Sequence, residues 1–294
     1  NSFACLSIGQ VLTENYFESH DTKMSSSDDS PLFRVTMFTG LMALIVMLSP
    51  ILTGPFVGTS MYGLIGTVLF FLNFGLIYFV VLYFLKLDGK SNMGDIGADF
   101  EDKHLFPHLG IGLFAGALAS ALVVIIAWVF GGDLRPSIEI TGDLIASEII
   151  ITVPTAFFEE LAYRGYMMPK MVDLWGQGKG IIISSFIFSI LHFAWWAPIG
   201  SVPLHLVVLF TFNIMLGGVI LSFSYFMSGK KLWVPIGFHF SWNMIGYILF
   251  PTYPRESVNL PEIFQIEWGI TTIIGFLFGL SILWILLQQK KMNK

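Results

Sequence analysis

Glu159 and Glu160 stand side by side, with Arg164 four residues on, inside the otherwise apolar stretch Phe157-Phe158-Glu159-Glu160-Leu161-Ala162-Tyr163-Arg164-Gly165-Tyr166. A charged side chain at the centre of a membrane helix costs roughly 2.5–3.5 kcal/mol on insertion scales, so it persists where it faces protein or a wet cavity and has a function. Helical spacing puts Glu160 and Arg164 on one face, where a charge-assisted hydrogen bond neutralises both. Glu159 points about 100° away from that face and is left for chemistry. Two later stretches add imidazoles: His192, with Phe188 four residues before it, and His239, with Asn243 four residues after it. A buried carboxylate and an imidazole sharing one water can take its proton. A second imidazole and an amide NH2 aimed at the same point are donors for the oxyanion formed when that water adds to a peptide carbonyl. This is the inventory of a hydrolase that attacks with water, and no Gly-x-Ser-x-Gly elbow offers a serine instead.

The elements that must position these groups are membrane helices. The chain of 294 residues is 55% hydrophobic and 12% charged, with a mean hydropathy of +0.75, too few charges to cover a water-exposed surface of this size. The expected fold is all-α, a polytopic membrane protein with eight transmembrane helices over about 35–53, 61–85, 108–130, 144–168, 180–197, 204–227, 232–250 and 266–287. Each run is close to the ~20 residues a bilayer crossing needs. By domain, 1–30 reads as a flexible polar tail, 31–143 as the first three spans, 144–250 as the catalytic core and 251–294 as the last span with a basic tail. The one cysteine, Cys5, excludes an internal disulfide, and no basic tract suggests nucleic acid.

Under eight spans the cations segregate. Lys23, Arg34, Lys86, Lys90, Lys103, Lys170, Lys179, Lys230, Lys231, Lys290, Lys291 and Lys294 fall on one side, Arg135 and Arg255 on the other, and Arg164 within a span. The positive-inside rule then predicts a multi-pass cell-membrane protein with both termini cytoplasmic. Measured from those helix ends at 1.5 Å per residue, Glu159, His192 and His239 share one layer roughly 10–18 Å deep. Other polar residues have plainer roles. Asn73 and Asn213 are expected to make interhelical hydrogen bonds, Glu148 to serve packing or an interface, His205 to snorkel, and Trp195 and Trp196 to sit in an outer aromatic belt.

Taken together, Glu159-Glu160-x-x-x-Arg164, Phe188-x-x-x-His192 and His239-x-x-x-Asn243, in that order on three spans, resemble the three motifs of the CPBP family of intramembrane proteases. That family comprises the type II CAAX prenyl endopeptidases and bacteriocin-processing or self-immunity enzymes. The resemblance covers about 144–250 and implies an eight-helix endopeptidase with a cavity open to the cytosol. It implies Glu159 and His192 as water activators, His239 and Asn243 as the oxyanion site, and Glu160, Arg164 and Phe188 as support. The flanking Tyr163-Arg164-Gly165 and Trp233-Val234-Pro235-Ile236-Gly237 look more like prokaryotic members than eukaryotic prenyl-protein processors. Expected partners are a peptide or membrane-protein substrate and the lipid bilayer, with no cofactor. One alternative makes Glu159, His192 and His239 ligands of a catalytic zinc, with Asn243 in the outer shell, although the His-Glu-x-x-His spacing is missing. Another is a non-catalytic proton-coupled transporter or immunity scaffold, for which intramembrane carboxylates and histidines would also serve.

Overall fold

The computed structural model describes residues 30–196, 202–251 and 264–292, without the side chains of 193–196 and 289–292. The expected N-terminal tail, Cys5, Arg255 and the Trp195–Trp196 belt lie outside that description. Among the described residues all regular structure is helical: α1 (Pro31–Thr53), α2 (Tyr62–Leu87), α3 (Leu105–Val129), α4 (Gly142–Glu160), a π-helical segment (Leu161–Met167), α5 (Met168–Trp175), α6 (Gln177–Trp196), α7 (Leu204–Met227), α8 (Trp233–Leu249) and α9 (Thr271–Met292). Local signals set these limits. Ser30 caps α1 by accepting from the Phe33 amide at 3.1 Å, with Pro31 opening the first turn, and Thr141 caps α4 by accepting from the Leu144 amide at 3.2 Å. Gly176, at φ 81°, supplies the backbone conformation that separates α5 from α6.

Every expected apolar run falls on a helix, with two departures. The run 144–168 is not one regular helix, because the chain widens into the π segment at Leu161 and continues to Trp175. The run 266–287 starts late: residues 266–270 form a turn, with Glu267 at φ 65°, and α9 begins at Thr271. Among the described residues five stretches, Pro31–Phe56, Tyr62–Leu87, Leu105–Val129, Leu204–Met227 and Thr271–Gln288, are long and apolar enough to cross a membrane. The three helices that bear the polar motifs fall outside that set: α4 carries Asp143, Glu148, Glu159 and Glu160, α6 is described with side chains only as far as His192, and α8 has 17 residues. The acids of α4 lower the apolarity of that helix.

One end of the bundle is held by ion pairs. Asp88, just past α2, receives Arg34 Nη1 of α1 at 3.0 Å and Lys170 Nζ of α5 at 2.8 Å. Burial works to raise the Asp88 carboxyl, but hydrogen bonds from Lys170 and Arg34 outweigh it and hold the group below the usual carboxylate range. At the same end Lys231 Nζ meets Asp102 at 2.7 Å, and the Trp233 indole donates to the Asp99 carbonyl at 3.1 Å. The opposite end is tied by Arg135, whose backbone and side chain bind the carbonyls of Leu249, Ile248 and Phe250 as α8 runs out.

Between these ends α8 is seated on α3 by small residues. A Cβ on Gly112 would strike the Val234 carbonyl, one on Gly116 the Phe238 carbonyl and Ser241 hydroxyl, and one on Gly237 the Leu109 carbonyl. On α9, a Cβ on Gly275 would meet the Ala119 carbonyl of α3, and one on Gly279 would meet the Phe238 ring of α8. Without water to drive helices together in lipid, such backbone approach supplies the packing. It fixes the height of α8, and hence of His239 and Asn243. Gly116→Val should therefore lower the melting temperature in detergent markedly, by the ~1–3 kcal/mol or more that overpacking costs. Gly110→Val, on the same helix with nothing within 4 Å, should leave it unchanged. Equal melting temperatures for the two variants would contradict this packing.

Candidate active site

The two carboxylates of α4 diverge, as adjacent helical residues do, and each meets a different set of partners. Glu160 is fully buried, and its Oε1 accepts from Arg164 Nη1 at 2.8 Å. The same oxygen lies 2.8 Å from His239 Nδ1 on α8. Because an ionised carboxylate only accepts, Nδ1 of His239 is the donor, and its Nε2 is turned toward the cavity. Glu159 faces that way too: its Oε2 is 3.4 Å from His192 Nε2 and 3.9 Å from His239 Nε2. His192 is oriented by the same device, its Nδ1 lying 2.9 Å from the Phe188 carbonyl one turn earlier on α6. Both imidazoles thus commit Nδ1 to an acceptor and present Nε2 to one carboxylate oxygen. That oxygen is buried and takes no hydrogen bond from the protein.

The support around this corner is aromatic. The Phe188 ring packs on His192 with centroids 4.1 Å apart and on Tyr163 at 4.6 Å, while the Arg164 guanidinium lies over the same ring, 4.2 Å from its centroid, as a cation–π partner. Room for that guanidinium comes from α7: a Cβ on Gly218 would sit 3.2 Å from Arg164 Nη2 and 2.9 Å from Ser185 Cβ. The π segment begins directly after Glu160, and π turns recur where a helix carries a functional group. Despite the wider turn, Arg164 still reaches Glu160, so the four-residue spacing brings the pair together as expected.

Glu159, His192, His239 and Asn243 line a single cavity of about 1460 Å³ between α1, α2, α4, α6, α7 and α8. Asn243 is 5% exposed and stands one turn after His239 on α8. The cavity extends from the carboxylate to the exposed residues Gly54, Val57, Tyr62 and Gly63 at the α1–α2 junction. Its mouth is therefore at the end of the bundle opposite Asp88, Lys170 and Lys231. Asn73 donates to Ser49 Oγ at 2.8 Å across α2 and α1, the interhelical role expected of it. His205 is exposed at the start of α7.

Two cavity residues were not singled out by spacing. Tyr247, one turn past Asn243, donates to Glu267 Oε1 at 3.4 Å. Glu267 arrives from the turn before α9, and its electrostatic reach includes both His192 and His239. A carboxylate opening an apolar run was a visible signal, but its distance in sequence from the three motifs concealed its place beside them. Among the described residues no three His, Cys, Asp or Glu side chains converge closely enough to hold a metal ion.

Residues 141–245 match the family model described as type II CAAX prenyl endopeptidase Rce1-like. No curated protein matches the chain. The match covers less than half of the chain and spans α4 through most of α8, the helices that carry all three motifs, so this part of the chain is similar to that family of endopeptidases. Breaking the buried pair should be costly: Arg164→Ala leaves Glu160 with half its compensation and is expected to lose about 3–5 kcal/mol of stability. Wild-type folded yield and thermal stability for that variant would contradict the pairing.

Proposed function

We propose that the protein is an intramembrane endopeptidase that hydrolyses a peptide bond of a membrane-associated protein or peptide with water activated by Glu159 and His192. The observation that carries this reading is the buried Glu159 Oε2 facing His192 Nε2 at 3.4 Å, with the other nitrogen of that ring already committed. A water seated between them would give its proton to this pair while its oxygen attacks the scissile carbonyl carbon. The carbonyl oxygen then becomes an oxyanion. His239, in its protonated form, donates to it from Nε2 while Nδ1 stays on Glu160, and the Asn243 amide supplies a second donor. Collapse of the tetrahedral adduct breaks the C–N bond, and the proton held by Glu159 and His192 passes to the departing amine. Glu160 and Arg164 take no part in bond making; they hold the His239 ring in its orientation, and Phe188 does the same for His192. The site is read as working without a resident metal.

The chemistry makes Glu159 indispensable but not structural. Glu159→Gln should lower cleavage of membrane peptides by about 10²–10⁴-fold with an unchanged melting temperature. Retention of wild-type cleavage would sink the mechanism. Activity lost to a chelator and restored by zinc would replace it with the zinc reading of the same three side chains.

We also propose eight crossings with both termini cytoplasmic. The segregation of lysines supports this, since Lys86, Lys170 and Lys231 lie on or beside the ion-paired end of the bundle. That orientation puts the cavity mouth at the outer face, in contrast to the cytosolic opening that the family resemblance implies. In a Cys5→Ser background, Val57→Cys, at a position 67% exposed on the cavity rim, should react in intact cells with a membrane-impermeant thiol reagent. Labelling only after the cells are opened would reverse the topology.

A further inference from the structure

The described residues lining the cavity include two carboxylates, Glu159 and Glu267, and no lysine or arginine. Glu159 has a place in the proposed chemistry; Glu267 has none. Yet its setting is built. The Glu267 backbone is held at φ 65°, a conformation that side chains other than glycine rarely adopt. Its carbonyl accepts from Asn213 Nδ2 at 2.7 Å, the same amide reaches the Gly269 carbonyl at 2.9 Å, and the Glu267 amide donates to Thr272 Oγ1 at 2.9 Å. The side chain is half-buried, steadied by Tyr247 at 3.4 Å, and shares the cavity with His192 and His239. Three elements, α7, α8 and α9, thus aim one carboxylate into the space where a substrate chain must lie.

We infer that Glu267 is a specificity-determining residue that pairs with a cationic group of the substrate, a Lys or Arg side chain or a free amino terminus, flanking the cleaved bond. The inference rests on the peptidase reading above and deepens it. A carboxylate facing a largely apolar cavity is costly to desolvate unless a cation meets it, and a peptide that supplies the cation removes that cost. Conversely, a peptide presenting a carboxylate at this position meets a like charge.

The test uses the full chain in proteoliposomes, as wild type, Glu159→Gln, Glu267→Gln and Glu267→Lys, against peptide mixtures with free or acetylated amino termini. Products are sequenced by mass spectrometry. Gln keeps the length of the side chain and an acceptor for Tyr247, so Glu267→Gln tests the charge alone, and its melting temperature reports folding. Wild-type cleavage absent from Glu159→Gln should favour Lys or Arg at one position beside the cut, or else require the free amino terminus; acetylation separates the two. In Glu267→Gln the ratio of kcat/KM for basic over neutral peptides should fall about tenfold or more. Glu267→Lys should shift the preference to Asp or Glu. Glu159-dependent cleavage without a basic preference, or a preference unaltered in both Glu267 variants, overturns the assignment and leaves the peptidase standing. A role only in tuning the imidazoles would slow all peptides alike and also overturns it. No cleavage beyond that of Glu159→Gln overturns both.

Discussion

A single buried oxygen, Oε1 of Glu160, accepts from Arg164 on its own helix and from His239 on α8. In a medium with no water to solvate an ion, a carboxylate must be compensated inside the protein, and here the compensation is shared between a neighbour along the helix and a partner 79 residues away. That sharing ties the helix bearing Glu159 to the helix bearing His239 and Asn243. It also sets the rotation of the His239 ring, since a donor committed to Glu160 leaves one nitrogen for the cavity. Removing the Glu160 charge would cost the bundle a pair and the proposed site its geometry at once.

The orientation of the second imidazole follows the same logic with a cheaper acceptor. His192 uses the Phe188 carbonyl of its own helix, and the Phe188 ring lies against both that imidazole and the Arg164 guanidinium. Arg164 thus contacts groups belonging to two of the three motifs, through hydrogen bonding to Glu160 and through its face to Phe188. Proteolysis in a membrane requires water to be ordered at a place that lipid would otherwise fill. Here aromatic and aliphatic side chains surround a small polar corner.

Spacing along a helix made part of this legible. Glu160 with Arg164, Phe188 with His192 and His239 with Asn243 are each four residues apart, and helical geometry alone places each pair on one face. The pairing of Glu160 with His239 was not legible, because it depends on how α4 packs against α8. Nor was the π segment after Glu160, whose onset leaves no mark in a run of ordinary helix formers. Glu267 was hidden for a different reason: the apolar run from 266 reads as helix from its first residue, whereas Asn213 holds its opening as a turn. The helices also differ in how plainly they announce a membrane crossing. Those dedicated to packing are uniformly apolar, while α4 gives up part of that signal to the acids it carries.

The contact of α8 with α3 is made largely by backbone and glycine, so there are few side chains at that seam whose rotation could let it widen. On the far flank of the cavity α2 meets α4 through rings instead, Phe74 and Tyr78 against Phe158. Rings can pivot where main chain cannot. If a stretch of polypeptide is to slide in alongside the acid and the imidazoles, the give must come from that flank, with the opposite wall serving as a stationary anvil.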